Sequence, residues 1–334
     1  MKTLKTMVAA LAASTAMFVA TAPAQALDEL TVAYFLEWPT PNQYAQANKI
    51  YEKELGIKVN WVSFDAGTAM SAAMASGDVD ISFSQGVTPF LVATAAGQDL
   101  QVVDVAVSYS DNDNCIVRSE LEIDKGNVAQ ELPGKKVAVP LGTAAHSGFL
   151  AQMKHFGIDE SSLTIVDMAP SDSAAAFSQP NTDLAMACGW GGALRTMKQH
   201  GNAIIEGKEK ESVVGKVFDV TSIPTSFGEE NPELLAKFLK ITSDMNKKYA
   251  ADSSGMMESI SKAAGMDMEG TTAVIGTFVF PSVEEQLTAE WMGGGVAEYL
   301  ANGAKSLEEA GKIKALPDYN AVVNASYLES ASKM

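Results

Sequence analysis

The sequence predicts an α/β fold of two hinged lobes with a ligand cleft between them. Three observations predict it. Short β-like runs alternate with helical segments, the alternation restarts after Cys115, and no Pro-rich or low-complexity linker divides the halves. Strands alternating with helices imply a largely parallel sheet covered by helices. Two similar halves without a flexible linker imply several crossovers and a cleft suited to a ligand. A chain of 334 residues, 47% hydrophobic, is long enough to bury two cores.

In the first half, Leu30–Tyr34 is a strand candidate, followed by a helix over 41–55. Val59–Phe64 alternates with period two, and Thr68–Ser76 is helical until Gly77 stops it. Asp80–Ser84 is a strand, Pro89–Ala96 a helix ended by Gly97, and Val102–Val107 another strand. The second half repeats the rhythm. Lys135–Val139 is a strand, and a loop over Gly142–His146 leads into a helix that runs to Phe156. Leu163–Asp167 and Asp183–Cys188 are strands, with helices at Ser173–Phe177 and Gly191–His200. Pro232–Lys248 is strongly helical and 283–334 mostly so. The expected lobes are 27–112 with 224–334, and 113–223.

The N-terminus has an export pattern. Lys2 and Lys5 precede an apolar run from Met7 to Ala20 and the small-x-small site Ala24-Gln25-Ala26. This predicts a signal peptide over 1–26, cleaved after Ala26. The run is short for a membrane span, which needs roughly 20 apolar residues. No cysteine near the cut offers a lipid anchor, so the exported product is expected free in solution. The formal net charge is −17, and the leader holds two lysines and no acid, so the remainder is more negative still. That balance opposes nucleic acid and anionic membranes as partners. Of the two cysteines, Cys115 and Cys188 both sit in apolar strand-like stretches. After export they can form a disulfide or remain two buried thiols, and spacing does not decide between these.

Catalytic patterns are scarce. There are three histidines, and His155 and His200 end helical segments, where a cation suits the helix dipole. Nucleophile-elbow, metalloprotease, phosphate-loop and Cys/His metal spacings are missing. No cofactor or metal is therefore expected. The strand-to-helix junctions are more informative. Ser84-Gln85-Gly86-Val87-Thr88-Pro89 and Gly142-Thr143-Ala144-Ala145-His146 each offer backbone N–H groups and a hydroxyl at a positive helix end. Each alone reads as ordinary N-capping by Thr88 or Thr143. One from each half suggests an anion clamped between lobes. Glu37-Trp38 follows the first strand, Trp190 follows the strand ending at Cys188, and Asp219 follows Val217-Phe218. An aromatic face with a carboxylate suits an ammonium group, although each Trp could equally be core and Asp219 a turn residue.

These residues carry a resemblance. Val32-Ala33-Tyr34, Phe64–Thr68, Ala75–Asp80, Gly134–Pro140, Leu150–Ile158 and the spacing from Asp219 to Asn231-Pro232 resemble the taurine-binding proteins of bacterial ABC importers. That group is similar to binding proteins for sulfonates, nitrate and thiamine-pyrimidine precursors. The resemblance covers Leu30 to Leu239. It implies a periplasmic-binding-protein fold of type II that acts as a monomer and delivers its ligand to an inner-membrane permease. It also implies a sulfonate on helix N-termini and an amine against a carboxylate and a ring. The ligand residues so implied are Glu37, Trp38, Gln85, Gly86, Thr88, Thr143, Ala144, His146, Trp190 and Asp219. The chain departs from the pattern at Phe35–Pro41 and at the Gly-rich Cys188–Gly192, both beside the expected cleft. Another alkanesulfonate, nitrate or a pyrimidine is the alternative ligand. An enzyme of pyrimidine synthesis shares the fold group, but the leader and the few titrating side chains oppose it.

Overall fold

The computed structural model describes residues 27–110, 112–215 and 217–334. The leader at 1–26 and its cleavage position lie outside the described residues. Ten strands form two five-stranded sheets. They are β1 (Glu29–Phe35), β2 (Lys58–Phe64), β3 (Ile81–Gly86), β4 (Leu100–Tyr109), β5 (Asp113–Arg118), β6 (Lys136–Val139), β7 (Thr164–Asp167), β8 (Leu184–Trp190), β9 (Gly201–Ala203) and β10 (Val217–Pro224). The first sheet has the order β2-β1-β3-β10-β4, the second β7-β6-β8-β5-β9.

Both sheets are mixed rather than largely parallel. β1 runs parallel to β2 and β3, and β6 parallel to β7 and β8. β10 is antiparallel to β3 and β4, and β5 antiparallel to β8 and β9. The two reversed strands are the first after each passage of the chain between sheets. β10 also corrects the expected lobe boundary at 223/224. It is hydrogen-bonded within the first sheet, so the chain returns before Val217.

Each half has its own core. One cluster gathers β1, β3, β4, β10 and the C-terminal helices, including Phe90, Phe238 and Leu300, all fully buried. Two smaller clusters flank the second sheet around Phe149 and Phe177. Trp190 packs against cores of both halves. Most expected helices are present. The one read over 41–55 is broken in two, Asn42–Ala47 and Ile50–Leu55, because Lys49 adopts a left-handed conformation with φ 54°. The break turns the fully buried Tyr51 onto Phe238, with ring centroids 4.9 Å apart. Helices at Gly207–Val214, Met257–Ala264 and Met268–Ile275 were not foreseen. The helix Ala144–Phe156 ends where Gly157 takes φ 67°, a conformation that costs a glycine little.

The sheets aim one feature at the function. The carboxyl ends of β1 and β3 lie at the centre of the first sheet, and those of β6 and β8 at the centre of the second. Crevices outside such strand ends are where ligands bind in open α/β sheets. Cys115 and Cys188 face each other across β5 and β8 and are joined by a disulfide. The bridge pins the register that sets Asp113 opposite Trp190 two residues away. It closes a loop with a sequence separation of 73. The double variant Cys115→Ala/Cys188→Ala should therefore lose about 2–4 kcal/mol of stability in a denaturant titration.

Candidate ligand-binding site

A cavity with an empty volume of about 340 Å³ opens between the strand ends of the two sheets. Its walls are Phe35, Trp38, Gly67, Gly86, Pro89 and Tyr109 from the first half, with Asp219 of β10. Asp113, Thr143, Ala144 and Trp190 complete them from the segment that follows the first crossover.

One wall is made of helix starts. Gly67 opens the helix Gly67–Ser76, Gly86 caps Val87–Ala95, and Thr143 caps Ala144–Phe156. The first-turn N–H groups of a helix have no partner inside it, and its N-terminus carries a partial positive charge. Three such ends around one cavity suit an anion. The space between the halves is narrow there, since a methyl group on Gly86 would lie 3.6 Å from the Ala144 Cβ.

The same cavity is also acidic and aromatic. Asp219 is 2% exposed. Its Oδ2 accepts from the Ser84 hydroxyl at 3.0 Å and its Oδ1 from the Tyr109 hydroxyl at 3.1 Å. Ser84 Oγ in turn accepts from the Trp38 indole N–H at 3.0 Å. Ser84 holds φ 59°, a left-handed conformation that costs a serine of order 1–3 kcal/mol and persists only where the surroundings impose it. That backbone turns its hydroxyl between Trp38 and Asp219. The Trp38 ring meets Tyr109 edge-on, centroids 5.1 Å apart. No cation among the described residues bonds Asp219. Burial pushes its carboxyl up to about 8, against the opposing hydrogen bonds from Ser84 and Tyr109, and nearby Asp113 pushes the same way.

Of the residues expected at the site, Trp38, Gly86, Thr143, Ala144, Trp190 and Asp219 line the cavity. Four others do not, and each has another task. Glu37 is exposed, and its carboxylate lies so close over Gly192 that a Cβ there would sit 2.2 Å from Oε2. Gln85 donates to the Gly67 carbonyl and Ser71 Oγ, both at 2.7 Å, and accepts from Ser222. It fastens the Gly67 helix to the sheet. Thr88 Oγ1 is hydrogen-bonded to Ser147 Oγ across the two halves at 2.8 Å. His146 Nδ1 accepts from the Gly142 N–H at 3.1 Å, and burial, with Lys312 nearby, holds the imidazole below its ordinary pKa. Thr143 lines the cavity, but its hydroxyl donates to the Pro140 carbonyl at 2.6 Å and so has no proton for a ligand. The anion-binding features that reach the cavity are backbone ends. The Val87 helix also begins two residues before Pro89, the expected start.

Gly67, Tyr109 and Asp113 line the cavity beyond the expected set, while Phe35 and Pro89 belong to stretches the sequence already places at the cleft. Gly67 lies in the Phe64–Thr68 stretch that carries the resemblance, and it follows a strand just as Gly86 does, so the same junction rule would have found it. No group of three or more His, Cys, Asp or Glu able to hold a metal occurs among the described residues. No helix among them is long and apolar enough to cross a membrane.

The Asp219 carboxyl has a linkage consequence. Its native value, about 8, lies above the unfolded value near 4. Between those pH values the unfolded chain releases the proton and the native chain keeps it. The free protein should therefore lose stability as pH rises from about 4 to 8. Melting temperatures across that range should fall, and Asp219→Asn should flatten the slope.

The chain is 29% identical over 315 residues to the taurine-binding periplasmic protein of Escherichia coli K12, covering 92% of this chain and 94% of that one. Its fold superposes on the periplasmic aliphatic sulphonate binding protein of Escherichia coli with a TM-score of 0.71 and 20% identity, covering 90% and 93% of the two chains. It superposes equally on the periplasmic nitrate-binding protein of Synechocystis PCC 6803, TM-score 0.71 at 11% identity, covering 92% and 89%. The fold is the two-lobed α/β fold of periplasmic binding proteins. A family model described as NMT1/THI5 like matches residues 40–253, and the chain belongs to that family.

Proposed function

We propose that the chain is the periplasmic ligand-binding subunit of an ABC importer for sulfonates, and that its ligand is taurine. The observation that carries this reading is Asp219: a buried carboxylate with no cationic partner among the described residues, in a cavity that three helix starts also line. A zwitterion with a fixed anionic end and a cationic end complements that polarity. A sulfonate keeps its charge at any accessible pH, so oriented N–H dipoles suit it better than a titrating side chain. The ammonium would lie against Asp219, with the Trp38 and Trp190 faces adding cation–π attraction. Binding involves no covalent step. Ligand bridging both halves would favour the closed state, because a ligand shifts such an equilibrium only through its preference for one form. The name of the Escherichia coli relative, which spans nearly the whole chain, supports the same ligand class.

One observation favours a second reading. A carboxyl held near 8 is largely protonated at neutral pH and could face the uncharged end of a plain alkanesulfonate. Calorimetry with taurine and ethanesulfonate at several pH values separates the two. If taurine is the ligand, its binding requires ionised Asp219, and its affinity should climb by up to about tenfold per pH unit between pH 6 and 8. Ethanesulfonate should weaken over the same range. Asp219→Asn should cost taurine about 2–4 kcal/mol and ethanesulfonate much less. Equal effects on both ligands would reject taurine. For export, N-terminal sequencing of the protein recovered from a periplasmic fraction should begin at Leu27. An intact Met1 on that protein would reject the signal-peptide reading.

A further inference from the structure

We propose that Asp113 is a second anionic partner for the cationic end of the ligand, set in place by Lys210, and that it sharpens selection for amine-bearing sulfonates. The inference rests on the reading that the cavity takes an aminosulfonate. Asp113 begins β5, lines the cavity and has a side chain only 3% exposed. Its Oδ1 receives Lys210 Nζ at 2.6 Å, and the Lys210 side chain is 1% exposed. The same ammonium donates to the backbone carbonyls of Ser110 and Asp113. An ammonium has three hydrogens, so Lys210 has none left for a ligand. It acts on the site only through Asp113.

The two oxygens of Asp113 thus differ. Oδ1 is neutralised, while Oδ2 accepts no hydrogen bond from any described residue and lies toward Gly148 of the Ala144 helix. Asp113 is also near enough to Asp219 to oppose its ionisation. Two carboxylates therefore serve the same end of a small cavity. One is ion-paired from behind and the other is hydrogen-bonded by hydroxyls. An ammonium between them would relieve their repulsion as well as bind each. A ligand lacking the cation would leave Asp219 with its proton and gain nothing from Asp113. The pairing with Lys210 offsets one of the two negative charges, which would otherwise repel a sulfonate in the same cavity. This arrangement gives discrimination to the acidic end without weakening the anion-binding end.

The test compares taurine with ethanesulfonate on the full mature chain by calorimetry. Asp113→Asn keeps the size of the side chain and an acceptor for Lys210. It should lower the preference for taurine over ethanesulfonate by about tenfold. Because that variant leaves Lys210 with a weaker partner and can lose stability, the double variant Asp113→Asn/Lys210→Gln removes the buried charge altogether. It should show the same loss of preference with a native melting transition. If Asp113 serves only to tie Lys210 and the chain crossing, both variants will weaken the two ligands equally or neither, and the proposal fails. If the unmodified protein binds neither sulfonate, the functional reading falls and takes this proposal with it. If it binds taurine and the variants keep the full preference, only the role of Asp113 falls.

Discussion

The burial of Asp219 without a cation is the constraint on which the site is organised. A carboxylate removed from water needs either a partner charge or several donors, and otherwise takes up a proton. Asp219 has two hydroxyl donors, Ser84 and Tyr109, and its carboxyl still sits near 8. The neighbouring Asp113 shows the other solution, a lysine that uses all its hydrogens behind it. Both carboxylates sit where the chain passes between halves or returns. Asp113 therefore has a charge partner on one oxygen, and Asp219 has none among the described residues. Left-handed Ser84 fits this pattern, since the strain at that residue holds the hydroxyl that keeps Asp219 oriented toward the cavity wall.

Sheet topology brings that local chemistry and the helix starts to one cavity. Parallel strands with their helices bring helix starts to the carboxyl edge of each sheet. The reversed strands β5 and β10 bring Asp113 and Asp219 to the same crevice from the opposite direction. An all-parallel arrangement would supply helix dipoles without these two acids. The mixed sheets are thus what place two acids and three helix starts around one cavity. The disulfide between β5 and β8 serves the same geometry, because a one-residue slip in that pair would turn Asp113 and Trp190 away together.

The fold was largely legible because its signals are local. Period-two runs gave β2, a Gly stop gave the end of the Gly67 helix, and the restart after Cys115 gave the second half. β10 was not legible. Its sequence, Val217 to Pro224, mixes Asp219, Thr221 and Ser222 with apolar residues, which reads as a turn. These polar residues are buried because Asp104 and Gln85, far away in sequence, bond Thr221 and Ser222. At the site, strand-end aromatics and helix starts could be found from residue order alone. Which atom of a junction faces the cavity could not. Thr88 and Thr143 were singled out for their hydroxyls, yet Ser147 and Pro140 occupy those groups. Asp113 was invisible because its role depends on Lys210, 97 residues later in the chain.

The residues that left the site explain how it closes. Thr88 bonds Ser147 across the halves, and Lys312 and Glu160 pair at 2.9 Å across the same boundary. Lys154 and Glu309 approach to 3.8 Å, both largely exposed. Exposed pairs of this kind are worth about 0–1 kcal/mol each, too little to hold two lobes shut. Glu37 adds a carboxylate over the first turn of the helix Gly191–Lys198, where the dipole favours it, and Gly192 provides the room. Each contact is weak and each crosses the gap. Under the proposed reading, polar contacts this weak would leave the closed form dependent on the ligand. A strong interlobe bond would close the cavity with nothing in it, and no bond at all would make the ligand supply the whole free energy of closure.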